Sequence, residues 1–201
     1  MPMNKREFIA GCASCGVAGL VFPQLVWPAQ AGQSLKQHAA ASGITFGSAL
    51  ALRKMEDPAH LTAFIQNCAV LVPELELKWN VTHRHPNQYD FAPSDRILDF
   101  AEKNGLGFRG TPLVWHEANP SWVDTQLTKQ NASQFLVGHI LRTVGHYRNK
   151  AHSWDVVNEP IAMWDKNPDG LRNSPWLDML GPDYIEIAFR AARQADSKTL
   201  L

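Results

Sequence analysis

The sequence has no surplus of either charge: 19 Lys and Arg stand against 19 Asp and Glu. A protein that binds nucleic acid or an anionic membrane through its net field would show a basic excess, and this one does not. Three cysteines are too few for a disulfide framework. No glycine-rich phosphate-binding turn of the dinucleotide or P-loop kind occurs, which weakens a nucleotide-binding reading. No apolar run reaches the roughly 20 residues of a membrane-spanning helix. The nearest, residues 8–22, is rich in glycine and small side chains and is followed by Pro23 and Pro28. No sequence repeat is present beyond an alternation of element types. What the chain does have is 201 residues, 45% of them hydrophobic, and seven tryptophans. That is enough apolar material for a packed core, and it excludes a disordered chain.

The first 31 residues read as an address. Lys5, Arg6 and Glu7 precede an apolar, small-residue stretch, and no further charge appears until Lys36. Ala29-Gln30-Ala31 has the form of a small-x-small cleavage site. Asn4-Lys5-Arg6-Glu7-Phe8-Ile9 resembles a bacterial twin-arginine signal with Lys at the first arginine. Residues 1–31 are therefore expected to be an export signal, residues 32–201 the functional part, and the protein secreted or periplasmic. Ile9-Ala10-Gly11-Cys12 also resembles a lipoprotein box, and Cys12 and Cys15 have redox spacing inside this leader. Cys68, remote from both, reads as a small buried apolar residue.

From residue 44 onward the pattern alternates. Residues 44–50, 70–72, 107–115 and 154–157 read as strands, and 199–201 as the start of a fifth. Between them lie helical stripes. Asp57-Pro58 opens Leu61, Phe64, Ile65 and Cys68. Ser94 is expected to cap Ile97, Leu98 and Ala101, which stop at Asn104-Gly105. Asn131 and Gln134 form a capping-box pattern before Phe135, Leu136, Ile140, Val144 and Tyr147. Pro182 opens Ile185, Ala188, Phe189 and Ala192. Strands alternating with helices imply an α/β fold with parallel strands, either a doubly wound sheet or a (β/α)8 barrel. Chemistry-bearing residues follow each strand: Glu74, Glu76, Lys78 and Trp79, then Trp115, His116 and Glu117, then Asn158 and Glu159. A barrel places its active site at those strand ends. Tryptophans beside carboxylates suit a sugar, whose faces stack on indole and whose hydroxyls bind acids.

Five segments make the resemblance specific. Residues 154–160, Trp-Asp-Val-Val-Asn-Glu-Pro, resemble the fourth-strand signature of glycoside hydrolase family 10, the endo-β-1,4-xylanases. Residues 109–116 with Pro120-Ser121-Trp122 resemble its third-strand motif, and residues 72–79 its second. Residues 171–176 and 181–185 resemble the approach to its fourth helix. The fold implied is a (β/α)8 TIM barrel of which about the first four βα units are present. The function implied is retaining hydrolysis of internal β-1,4 bonds in xylan or xylo-oligosaccharides, with no metal or organic cofactor.

By the same resemblance, Glu159 is the general acid and then base, and Asn158 binds the 2-hydroxyl of the sugar being cleaved. Glu74 and Lys78 bind hydroxyls on the non-reducing side. Trp115 walls the subsite next to the scissile bond, with His116 as its neighbour. Three departures accompany the match. Leu75 replaces the family's Asn after Glu74, and Thr111-Pro112 replaces its His-Thr, which removes a sugar-binding imidazole. The family's strained peptide at that point leads us to expect a cis Thr111–Pro112 bond, since cis is cheap only before proline. Third, the family's nucleophilic Glu at the seventh strand has no counterpart here. Strand starts near 44, 69, 107, 152 and 198 space the units by about 38 residues, so eight need roughly 310. The expectation is an inactive N-terminal portion that self-associates through unpaired half-barrel edges. A non-catalytic carbohydrate-binding remnant and another β-1,4-glycanase of the same clan are the alternatives.

Overall fold

The computed structural model describes residues 32–201. The expected export signal and the Cys12 and Cys15 spacing lie outside the described residues. Among them, strands β1 (Gly47–Leu50), β2 (Val70–Pro73), β3 (Gly107–Gly110) and β4 (Ala151–Trp154) form one sheet. Their order is β1-β2-β3-β4 and every neighbouring pair is parallel. A doubly wound sheet reverses its strand order at a switch point. This sheet does not reverse, which is how a barrel wall grows. Ser153 bridges Leu200 in parallel, so the chain near Thr199 continues the wall beyond β4.

Helices α1 (Leu35–Ala41), α2 (Pro58–Asn67), α3 (Trp79–Thr82), α4 (Ala92–Lys103), α5 (Trp122–Gln126), α6 (Ala132–His146), α7 (Pro175–Leu180) and α8 (Tyr184–Ala195) fill the connections. Local chemistry explains α2: the Asp57 carboxylate accepts from the Ala59 and His60 amides, and Pro58 supplies a helical φ where no donor is needed. Both other expected caps fail. Ser94 lies inside α4, buried, where its hydroxyl pairs with the Tyr147 hydroxyl at 2.6 Å. Asn131 precedes α6 but turns its amide to the Thr128 N–H and the Gln126 carbonyl. In each case a tertiary or loop partner outcompetes the helix end. In α8, Ala188 and Ala192 are buried as expected, whereas Phe189 is 39% exposed. The inward stripe instead uses Tyr184, Ala191 and Ala195.

The third strand is shorter as a ladder than the sequence implies, and the fourth lies at Ala151–Trp154 rather than at 154–157. Pro112 has no N–H, so regular pairing stops at Gly110. It resumes at single points, with Leu113 N–H on the Asp155 carbonyl and Val114 bridging Val157. The Thr111–Pro112 bond is trans, against expectation; no cis peptide occurs among the described residues. The bonds on either side, Asp155 N–H to Gly110 and Leu113 N–H to Asp155, span the pair along an extended path that needs no cis turn.

Gly110 is required by packing. A Cβ there would lie 2.2–2.4 Å from three ring carbons of the buried Trp154 on the adjacent strand. Gly110→Ala is expected to cost about 1–3 kcal/mol by overpacking, read as a shift in urea-unfolding free energy.

Behind the strand ends sits an aromatic stack. Trp79 lies 3.8 Å from the His139 ring and 5.0 Å from Trp176, nearly parallel to both. Its indole N–H donates to His83 Nδ1, so His83 donates from Nε2 to the Pro86 carbonyl. Trp79 is 1% exposed, so it is core and not the sugar platform its place in the sequence proposed. Burial holds the pKa of both His83 and His139 below the ordinary histidine value, His139 well below it.

Above pH about 6.5 these histidines are neutral in both states. Below it the unfolded chain takes up protons that the folded chain refuses. Stability is therefore expected to fall as pH drops from about 6.5, by up to about 1.4 kcal/mol per pH unit per histidine. Asp57 and Asp196, both held below 3.8 mainly by backbone N–H donors, act at lower pH. Urea midpoints at pH 7.5 and pH 5.5 check this, and His139→Gln should flatten the slope.

Candidate active site

The chain leaves β2, β3 and β4 on the same side of the sheet, because parallel strands end together. After β2, the run Glu74 to Lys78 turns into α3. After β3, Trp115 leads into a 3-10 turn at His116–Ala118. After β4, Val157 bridges Val114, and the Asn158 N–H donates to the Val114 carbonyl at 2.8 Å. That pairing brings Glu159 beside Trp115.

At the centre, Trp115 donates its indole N–H to Glu159 Oε2 at 3.0 Å. Lys78 Nζ stands 4.7 Å over the Trp115 ring, a cation–π contact. Arg172 donates from Nε to the Glu159 carbonyl at 2.8 Å, and its Nη2 lies 3.9 Å from Glu159 Oε2. The half-exposed Glu159 carboxylate thus meets an indole donor and a guanidinium while keeping an open side. Glu159 also sits at φ +50, in the left-handed region that residues with a Cβ rarely adopt.

Lys78, Trp115, Asn158 and Glu159 are brought to one edge of the sheet. His116 joins them, with a ring nitrogen within 4.8 Å of a Glu159 carboxylate oxygen and its ring 6.0 Å from that of Trp115. Glu74 stands at the end of β2, but its carboxylate is paired with Arg53 at 3.1 Å. Glu76 is buried and structural, accepting from the Leu52 and Leu75 amides. The sequence reading did not place Arg172 in the site. It lies within the quoted 171–176 segment, so the motif was visible while its reach back to Glu159 was not.

Ligating atoms of His116, Glu117 and Glu159 come within 4.8 Å of one another. One imidazole and two carboxylates form a donor set able to take a divalent cation. Exposed acids often gather this way without one. The crevice lined by Trp115, His116, Asn158, Glu159, Arg172 and Trp176 holds only about 10 Å³, so a substrate must lie across its open mouth. A larger hollow of about 420 Å³ is elsewhere, over the sheet and lined by Ser48, Val70, Val72, Arg109 and Ser153. It belongs to the sheet face rather than to the carboxylates.

Comparisons with known proteins follow the same lines. Residues 34–201 match the family described as Glycosyl hydrolase family 10. A β-1,4-xylanase of Dictyoglomus thermophilum is 47% identical over 126 residues, covering 63% of this chain and 35% of that protein. Endo-1,4-beta-xylanase 3 of Hypocrea jecorina is 33% identical over 178 residues, covering 88% of this chain and 50% of its own length. The crystal structure of native xylanase 10B from Thermotoga maritima superposes with a TM-score of 0.76 at 32% identity, over 83% of this chain and 51% of that one. The chain thus spans about a third to a half of the length of these relatives.

Proposed function

Because the chain belongs to glycosyl hydrolase family 10, we propose that residues 32–201 form the acid-bearing half of a retaining endo-β-1,4-xylanase. The observation that carries this reading is the Glu159 carboxylate, held by Trp115 at 3.0 Å and open to a ligand. In the first step Glu159 gives its proton to the glycosidic oxygen and the leaving sugar departs. In the second it takes a proton from the water that releases the other half. Asn158, half-buried beside it, binds the hydroxyl next to the reacting carbon. Lys78 and Trp115 wall the non-reducing side. Glu74 serves there only after releasing Arg53. Xylan is the proposed substrate. A related xylanase 10B, from Thermotoga petrophila, is described in complex with xylobiose. The leader, residues 1–31, is proposed to direct export.

Retention needs a second carboxyl about 5–5.5 Å away, across the scissile bond. Among the described residues Glu117 comes within 4.8 Å of Glu159, and it is drawn toward its neighbour His116 on the same turn. The 201-residue chain is therefore proposed to bind xylo-oligosaccharides without hydrolysing them. Calorimetry with xylohexaose and a reducing-sugar assay on xylan form the test. Binding with no sugar release is expected, and Lys78→Ala should weaken the binding. Hydrolysis that disappears in Glu117→Gln would instead make Glu117 the second carboxyl and overturn this reading. A self-associating chain, its open sheet edges paired with a second copy, would appear as a dimer in sedimentation.

A further inference from the structure

We propose that Trp164 and the Arg172 guanidinium form a stacking platform for the leaving-group side of a β-1,4-linked sugar chain. The inference rests on the glycan-cleaving reading above and extends the site past Glu159.

The first observation is exposure. Of the described tryptophans, Trp79, Trp122, Trp154 and Trp176 are buried, and Trp115 is partly covered. Trp164 alone among them is open, at 71% exposure. Met163 and Ile161 beside it are also exposed. An indole left in water gives up the burial that makes tryptophan valuable to a fold.

The second is presentation. Trp164 sits on a 3-10 turn, Met163–Asp165, at the tip of a hairpin that leaves Glu159 directly. The hairpin is braced: Ile161 bridges Leu171, Ala162 N–H donates to Gly170, and Arg172 N–H donates to Pro160 at 2.7 Å. Asp165 accepts from the Asn173 amide, and Asn167 donates to the Leu171 carbonyl, both at 2.7 Å. Lys166 closes the turn in the left-handed region, at φ +61. These bonds fix the backbone that presents an apolar side chain the core does not use.

The third is alignment. Lys78 lies over Trp115, Trp115 bonds Glu159, Arg172 bonds Glu159, and Arg172 lies 5.3 Å over the Trp164 ring. The contacts run in one unbroken series with Glu159 between Lys78 and Trp164. If Lys78 and Trp115 take the sugar on one side of the cleaved bond, Trp164 takes the sugar on the other. The guanidinium stands over the indole, and the 71% of Trp164 that is exposed leaves surface for the apolar face of a pyranose.

The test is xylohexaose binding to the full chain by calorimetry. Trp164→Ala is expected to weaken affinity about fivefold, and Trp164→Phe to stay within about twofold of the unsubstituted chain. The thermal midpoint should move little in either, because Trp164 is 71% exposed. Equal affinity in Trp164→Ala would overturn the platform while leaving the glycanase reading intact. So would an equal loss in Trp164→Phe. An unsubstituted chain that binds no xylo-oligosaccharide would overturn both.

Discussion

Glu159→Ala is expected to lower xylan hydrolysis by roughly 10²–10⁴-fold, the usual worth of a positioned acid–base group. The measurement calls for a complete barrel, made by joining residues 32–201 to the remaining half of a xylanase relative. The size of the loss alone does not identify the role of the side chain, but its dependence on the leaving group does. An aryl xyloside with an acidic phenol leaves without a proton, so its first step should be nearly spared. The second step still lacks its base, and a glycosyl-enzyme should accumulate. Azide, which attacks without needing deprotonation, should then restore turnover and yield a glycosyl azide. A nucleophile mutant would accumulate no glycosyl-enzyme, and azide would rescue it only by direct attack on the substrate, giving the glycosyl azide of inverted rather than retained configuration. Uniform loss on xylan and aryl substrate alike, with no azide rescue, would refute the acid–base role of Glu159.

Trp79→Ala is expected to destabilise the chain by about 3–5 kcal/mol, at the upper end for a single core truncation. The side chain is fully enclosed, so the transfer and cavity losses both apply. Two further losses add to these. The His139 and Trp176 rings lose the surface they stack on. His83 Nδ1 loses its donor inside a buried site, leaving an unsatisfied acceptor. Trp79→Phe keeps the stack but not the N–H and should cost less than half as much. Urea unfolding monitored by far-UV circular dichroism resolves the two. Because Trp79 directly follows Lys78 and packs on Trp176, which lines the crevice by Glu159, the alanine variant should also lose ligand affinity.

The alternation of strands and helices was legible because each strand is a short apolar run and each major helix carries a buried stripe. Parallel order followed from the crossover lengths. Strand ends were less legible. One proline moved the end of β3 from Trp115 back to Gly110, and a register shift between Phe108 and Arg109 displaced its pairing with β4. Ser94 and Asn131 look like caps to any local rule, yet partners 53 residues away and three residues away claimed their side chains. The candidate site was legible where a residue follows shortly after a strand, as Trp115, Asn158 and Glu159 do. Arg172 was not, because it returns to Glu159 over 13 residues of hairpin. Trp79 and Trp164 were the reverse of their appearance. The indole beside the motif lysine is core, and the one in an unremarked loop is open to solvent.

On the acid–base role proposed for Glu159, its left-handed backbone sets heat tolerance and turnover against each other. That conformation costs a residue with a Cβ about 1–2 kcal/mol, and glycine little or nothing. Variants selected only for surviving heat would drift toward glycine or asparagine at position 159, and the hardiest among them would carry no proton donor.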